Sequence, residues 1–177
     1  SSQRFFFNYN AKLNWKNDGN EIINYSGSVV RNSDKYFKPL ITWATRSATF
    51  QVHLVQRNYI PSISRFFVPN EPKDLLWLCS YLNTEYFDYL FKLSVEKDFQ
   101  PKYINGTFNG IPIPEFPATL IAKFSKNAIN QNLRVRSIYK NDDTSIFFNK
   151  NCFLKSSNLS SYCDKSMSEL ASLRNGY

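Results

Sequence analysis

The spacing of apolar residues changes at Asn70, and that change restricts the fold more than any single motif does. Before it, short aromatic and β-branched runs recur: "RFFFNY", "EIINY", "YFKPLITW", "TFQVHLV" and "YIPSISRFFV". In "TFQVHLV" the two-residue repeat puts Phe50, Val52 and Leu54 on one side, as a half-buried strand requires. After Asn70, the positions Leu75, Leu78, Cys79 and Leu82 follow the i, i+3, i+4, i+7 spacing of a helix face. Asn70 is expected to cap that helix, with Glu71 and Pro72 in its first turn. A break at Asn83-Thr84 precedes a second helix carrying Phe87, Leu90 and Phe91 to about Val95. Strands first and helices after predict an α+β fold: a curled mixed or antiparallel sheet with a helix pair packed on it.

Further along, Gly106, Gly110, Pro112, Pro114 and Pro117 punctuate "YINGTFNGIPIPEF". Prolines at alternate positions fit an edge strand that leaves the sheet. Residues 118–133 read as helix, "NDDTSIFFNKNCFLKSSNLSSYCDKS" as an inserted loop or small β unit, and a second helix is expected near Met167. This gives a first unit over residues 1–117 and a helical C-terminal segment over 118–177. A start without Met and an end just as a helical pattern begins suggest a piece of a longer protein.

With 177 residues and 42% hydrophobic content, the chain can bury one sizeable core. Its net charge of +8 points to a polyanionic partner, because phosphate neutralisation by Lys and Arg releases counterions. The charge is also segregated. Residues 31–65 hold Arg31, Lys35, Lys38, Arg46, Arg57 and Arg65 against Asp34 alone, whereas residues 71–98 hold three lysines against six acids. A binding face requires such separation, and the acidic outer surface of the helix pair is expected to face away from the polyanion.

Three cysteines without CxxC spacing and one histidine, His53, give little support for a zinc site and fit a reducing, cytoplasmic setting. His53 falls on the polar side of its strand and is expected at the surface. No stretch has the length and apolarity of a membrane span. Catalytic constellations are missing too. There is no Asp/Asn-Pro-Pro-Tyr/Phe motif, no glycine-rich turn for S-adenosylmethionine, and no Pro-Asp followed by Glu-x-Lys.

Four stretches, "LNWKNDGNEI", "GSVVRNSDKYFKPLITW", "DLLWLCSYLNTEYFDYLFKL" and "YINGTFNGIPIPEF", resemble in this order the C-terminal specificity region of large adenine-specific DNA methyltransferases. The likeness is to TaqI-like target-recognition domains in combined restriction-modification enzymes and in BREX-type phage-defence methyltransferases, which are bacterial or archaeal. It covers roughly residues 12–117 and, more loosely, the start of a helix at 169–177. Many relatives have glycine where this chain has Pro39-Leu40, and residues 44–64 are its own, so base contacts do not transfer from relatives. The resemblance implies a non-catalytic module that recognises double-stranded DNA, with S-adenosylmethionine and the methyl transfer on a catalytic domain of the same or an associated chain. Two other classes stand beside it: a specificity subunit of a multi-subunit restriction system, and a carbohydrate-binding β module suggested only by the aromatic residues.

On this reading Tyr36 to Trp43 is a core strand, with Trp43 itself in the core, and Thr42, Thr45, Arg46 and Ser47 lie at the DNA. Arginine has the fork geometry for guanine O6 and N7, and Ser and Thr serve bases or phosphates. Arg46 stands as either a base reader or a solvated surface charge. Arg57 and Arg65 flank the following strand, as phosphate contacts or edge protectors. Lys102, Tyr103 and Asn105 are expected to approach from the other side, although Asn105-Gly106 is also an ordinary turn pair. Arg134 and Arg136 are expected as a second basic spot on the outer sheet face.

Overall fold

The computed structural model describes residues 4–6, 12–55, 59–61 and 65–140, together with Ser145 and Phe148. The fold is α+β. Strands β1 (Phe5–Phe6), β2 (Leu40–Trp43), β3 (Val52–Val55) and β4 (Phe66–Phe67) form a mixed sheet in the order β1-β3-β2-β4. β2 lies antiparallel to both β3 and β4, and β1 joins β3 in parallel.

Five helices accompany the sheet among the described residues: α1 (Lys16–Ile23), α2 (Leu75–Leu82), α3 (Glu85–Leu93), α4 (Asn105–Phe108) and α5 (Ala118–Tyr139). The helix pair expected after Asn70 is α2 and α3. Thr84 starts α3 by accepting a hydrogen bond from the Phe87 N–H at 3.2 Å, which satisfies one of the helix's first free donors. Asn70 does not cap α2. A 3-10 turn over Pro72–Asp74 leads into the helix, and Glu71 holds the position before that turn.

Both faces of the sheet are covered, so the four residues of β2 are all buried. Ile41, Trp43, Phe50 and Val52 pack with Leu78, Cys79 and Leu82 of α2, Phe87 and Phe91 of α3, and Tyr103 and Phe108. Phe50 stands at the centre, with ring centroids 4.7 Å from Phe91, 5.1 Å from Tyr103, 5.5 Å from Trp43 and 5.6 Å from Phe87. On the reverse face Leu40, Val55 and Phe66 form a second cluster with Tyr59 and Val68. Thr42 and His53 are cross-strand partners on that side. His53 is buried, contrary to the surface position its alternation implied, on the face where Leu40, Val55 and Phe66 pack with Tyr59 and Val68.

Two further strand expectations are corrected. "EIINY" belongs to α1 and the turn after it: Asn17, Asp18 and Gly19 take left-handed φ values of 51°, 54° and 76° and reverse the chain before Ile22-Ile23. Trp15 folds over that turn, so closely that a Cβ on Gly19 would lie 2.7 Å from its ring, and packs edge-on against Tyr36 at 5.4 Å. Isoleucine's preference for strands yields here because tertiary context decides for short β-prone runs. Secondly, Tyr36 to Trp43 is not one strand. Phe37 has a φ of 59°, and its N–H donates to the Tyr59 carbonyl at 3.0 Å, so pairing starts at Leu40.

The proline run at residues 111–117 is extended but joins no sheet, because Pro112 and Pro114 have no N–H to give a ladder. Ile111 is buried and Ile113 and Phe116 pack on the core, while the intervening prolines point outward. Pro117 occupies the cap position of α5, which packs back onto α2 and β1. Asn127 Nδ2 donates to Ser80 Oγ at 2.8 Å, Asn132 Nδ2 donates to the Phe5 carbonyl at 2.7 Å, and Tyr139 stacks on Phe6 at 5.3 Å. The helix runs past residue 133 to Tyr139, so Arg134 and Arg136 lie on α5 and not on a sheet face. The expected loop and the helix near Met167 fall outside the described residues, apart from Ser145 and Phe148.

Candidate nucleic-acid interface

The end of β2 is fixed by the chain between α3 and α4. Trp43 Nε1 donates to the Tyr103 carbonyl at 3.2 Å, and the Tyr103 N–H donates to the Thr45 carbonyl at 2.7 Å. One residue on, Arg46 and Lys102 oppose each other in an antiparallel bridge, which directs both side chains to the same side of the pair. Arg65, just before β4, joins them: its Nη1 donates to Thr45 Oγ1 at 2.6 Å, and its carbonyl accepts from Thr42 Oγ1 at 2.7 Å. Three segments distant in sequence thus bring Thr45, Arg46, Arg65 and Lys102 to one end of the sheet.

An acid completes the group. Arg46 Nη1 donates to Asp98 Oδ2 at 3.0 Å and to the Gln100 carbonyl at 3.1 Å, and the Arg46 and Asp98 side chains are 49% and 50% exposed. Both bonds use Nη1, which leaves Nη2 and Nε of the guanidinium fork for a ligand. Asp98 and Gln100 were not singled out by the sequence. Asp98 counts there among the acids of the helix pair, and only the bridge between residues 46 and 102 shows that it returns to the basic end. The picture of an acidic surface turned wholly away is corrected at a second place as well. Asp88 is buried, accepts from the Phe50 N–H at 2.7 Å and pairs with Lys92 at 2.8 Å.

The remaining candidates separate clearly. Thr42 is buried with its hydroxyl committed to Arg65, and so it is not presented to a ligand. The Asn105 side chain is occupied as well. Its Oδ1 accepts from the Phe66 N–H at 3.3 Å and its Nδ2 donates to the Phe66 carbonyl at 3.1 Å, closing the outer edge of β4. Ser47 is half-buried, and its hydroxyl donates to the Thr49 carbonyl within its own turn. Arg57 lies outside the described residues.

Asn83 does for β3 what Asn105 does for β4. Its Oδ1 accepts from the Val52 N–H and its Nδ2 donates to the Val52 carbonyl, both at 3.0 Å, and Nδ2 also reaches the Cys79 carbonyl at 3.0 Å. Pairing with β1 begins only at His53, so the amide supplies the ladder partners missing at Val52.

Two other features have different chemistry. At the opposite end of β2, Lys35, Lys38, Pro39, Val68, Pro69 and Leu75 line a cleft of about 520 Å³, and Lys35 is paired with Asp34 at 3.1 Å. Burial pushes the Cys79 thiol well above its ordinary range, which suppresses the thiolate a nucleophile or metal ligand needs. Tyr103, expected to approach the DNA, is instead fully buried in the aromatic core, where burial, and then the charge of Asp88, push its phenol up and keep it neutral.

No protein-family model matches this chain, and neither does any curated protein. Among the described residues, no helix is long and apolar enough to cross a membrane.

Proposed function

We propose that this chain is a sequence-specific double-stranded DNA recognition module that positions an adenine-N6 methyltransferase of a restriction-modification or phage-defence system on its target. The observation that carries the reading is the convergence of Thr45, Arg46, Arg65 and Lys102 from three segments at one sheet end. The ordered motif resemblance supports it, since two of the resembling stretches supply Asn83 and Asn105, the amides that hold β3 and β4 in place. Arg46 serves base readout, and Arg65 and Lys102 serve phosphate contact. S-adenosylmethionine and methyl transfer belong to the catalytic domain of the same or an associated chain in the cytoplasm, and this chain binds and orients.

The test is titration of a mixed-sequence duplex with the chain over a range of salt concentrations. Weak binding is expected, falling linearly in log affinity against log salt by roughly 0.9 per phosphate contacted. Salt-independent binding, or none at low salt, overturns the proposal.

A further inference from the structure

The contact between Arg46 and Asp98 does little for the fold, since an exposed ion pair of this kind adds almost nothing to stability. Its position is more informative. Asp98 places a carboxylate on Arg46, whose backbone bridges Lys102, and holds one of the two nitrogens at the tip of the guanidinium fork. The Gln100 carbonyl accepts from the same nitrogen, so two acceptors orient the guanidinium. A carboxylate at this spot repels any phosphate, whatever the sequence to which it belongs.

From this juxtaposition we infer that Asp98 is a specificity-determining residue: a carboxylate latch on Arg46 that suppresses binding to random DNA and leaves Nη2 and Nε to a base edge offering the guanidinium two acceptors. The inference rests on the proposed reading of this surface as DNA-facing. Discrimination between ligands grows when the wrong one is penalised as well as when the right one is favoured, and Asp98 supplies the penalty. A guanine edge, with O6 and N7 in the plane of the fork, takes two bonds from the Nη2 and Nε that Asp98 leaves open, whereas a lone phosphate gains less and must approach past a negative charge.

The experiment compares the wild-type chain, Asp98→Asn and Glu115→Gln on a random-sequence duplex at several salt concentrations, with melting temperatures as a check on folding. Asp98→Asn keeps the shape and one acceptor while removing the charge, and Glu115, exposed between Pro114 and Phe116, is a control for net charge. Asp98→Asn is expected to bind roughly threefold to tenfold more tightly than wild type, with a salt slope steeper by about one unit and unchanged melting, while Glu115→Gln matches wild type. Equal or weaker binding by Asp98→Asn overturns the latch and leaves the DNA-binding reading standing. Equal tightening by both variants also overturns it, since net charge then suffices. If none of the three chains binds at low salt, the DNA-facing reading fails and takes the latch with it.

Discussion

Replacing Phe50 with alanine is expected to lower the unfolding free energy by about 3–5 kcal/mol, the range for removing a fully buried aromatic side chain. The ring is inaccessible and contacts aromatic residues from every direction: Trp43 from β2, Phe87 and Phe91 from α3, and Tyr103 and Phe108 from the chain beyond it. Rigid rings on that many sides cannot collapse into the space left behind, which places the expected loss towards the upper part of the range. The variant also slackens the wall on which Trp43 and Tyr103 hold the basic sheet end. Urea denaturation of wild type, Phe50→Leu and Phe50→Ala measures this, with the leucine variant intermediate. A loss below about 1 kcal/mol for Phe50→Ala contradicts the central position of this ring.

Asn83→Ala is expected to cost about 2–4 kcal/mol, although it removes far less volume. The buried Val52 N–H and carbonyl and the Cys79 carbonyl are each deprived of a partner, and each buried group left unmatched costs about 1–3 kcal/mol before water or relaxation recovers part of it. Asn83→Asp keeps the acceptor but loses the donor and buries a charge, so it should be no better than alanine at neutral pH. Hydrogen exchange at the Val52 amide offers a local check, with protection falling in Asn83→Ala more than at β4. Unchanged protection at Val52 would mean that the amide is not a ladder partner in solution.

These two residues show where the sequence was legible. Phe50 stands in an alternating run whose periodicity marks it as core, although β3 itself begins two residues later, at Val52. The helical spacing of Leu75, Leu78, Cys79 and Leu82 is legible in the same way, as is the break at Asn83-Thr84. What a side chain does across the fold is not written in its neighbours. Asn83 and Asn105 read as turn residues, and only the ends of β1 and the outer edge of β4 decide that they complete a sheet. His53 and Thr42 look polar-facing because one covered face is the usual case for a short antiparallel strand, whereas here the second face is covered as well, with Tyr59 and Val68 packed on it. "EIINY" has strand composition but lies behind a left-handed turn built by Asn17, Asp18 and Gly19. In the candidate interface, charge segregation marked Arg46 and Arg65 as residues of one basic stretch. Their grouping with Lys102, and the acid that restrains Arg46, depended on a bridge between segments 56 residues apart in the chain.

The most direct test of where DNA lies compares two pairs of charge deletions. Arg46→Ala/Lys102→Ala removes the bridged pair at the sheet end, and Lys123→Ala/Lys126→Ala removes two exposed cations of α5 while changing the net charge equally. Both are titrated with the same duplex across salt concentrations. The proposed function predicts that the first pair weakens binding and lowers the salt slope by about one unit, for the phosphate that Lys102 no longer neutralises, while the second leaves the slope unchanged. Equal losses from both pairs, or a loss from the α5 pair alone, would contradict the placement of DNA at the Arg46 end of the sheet.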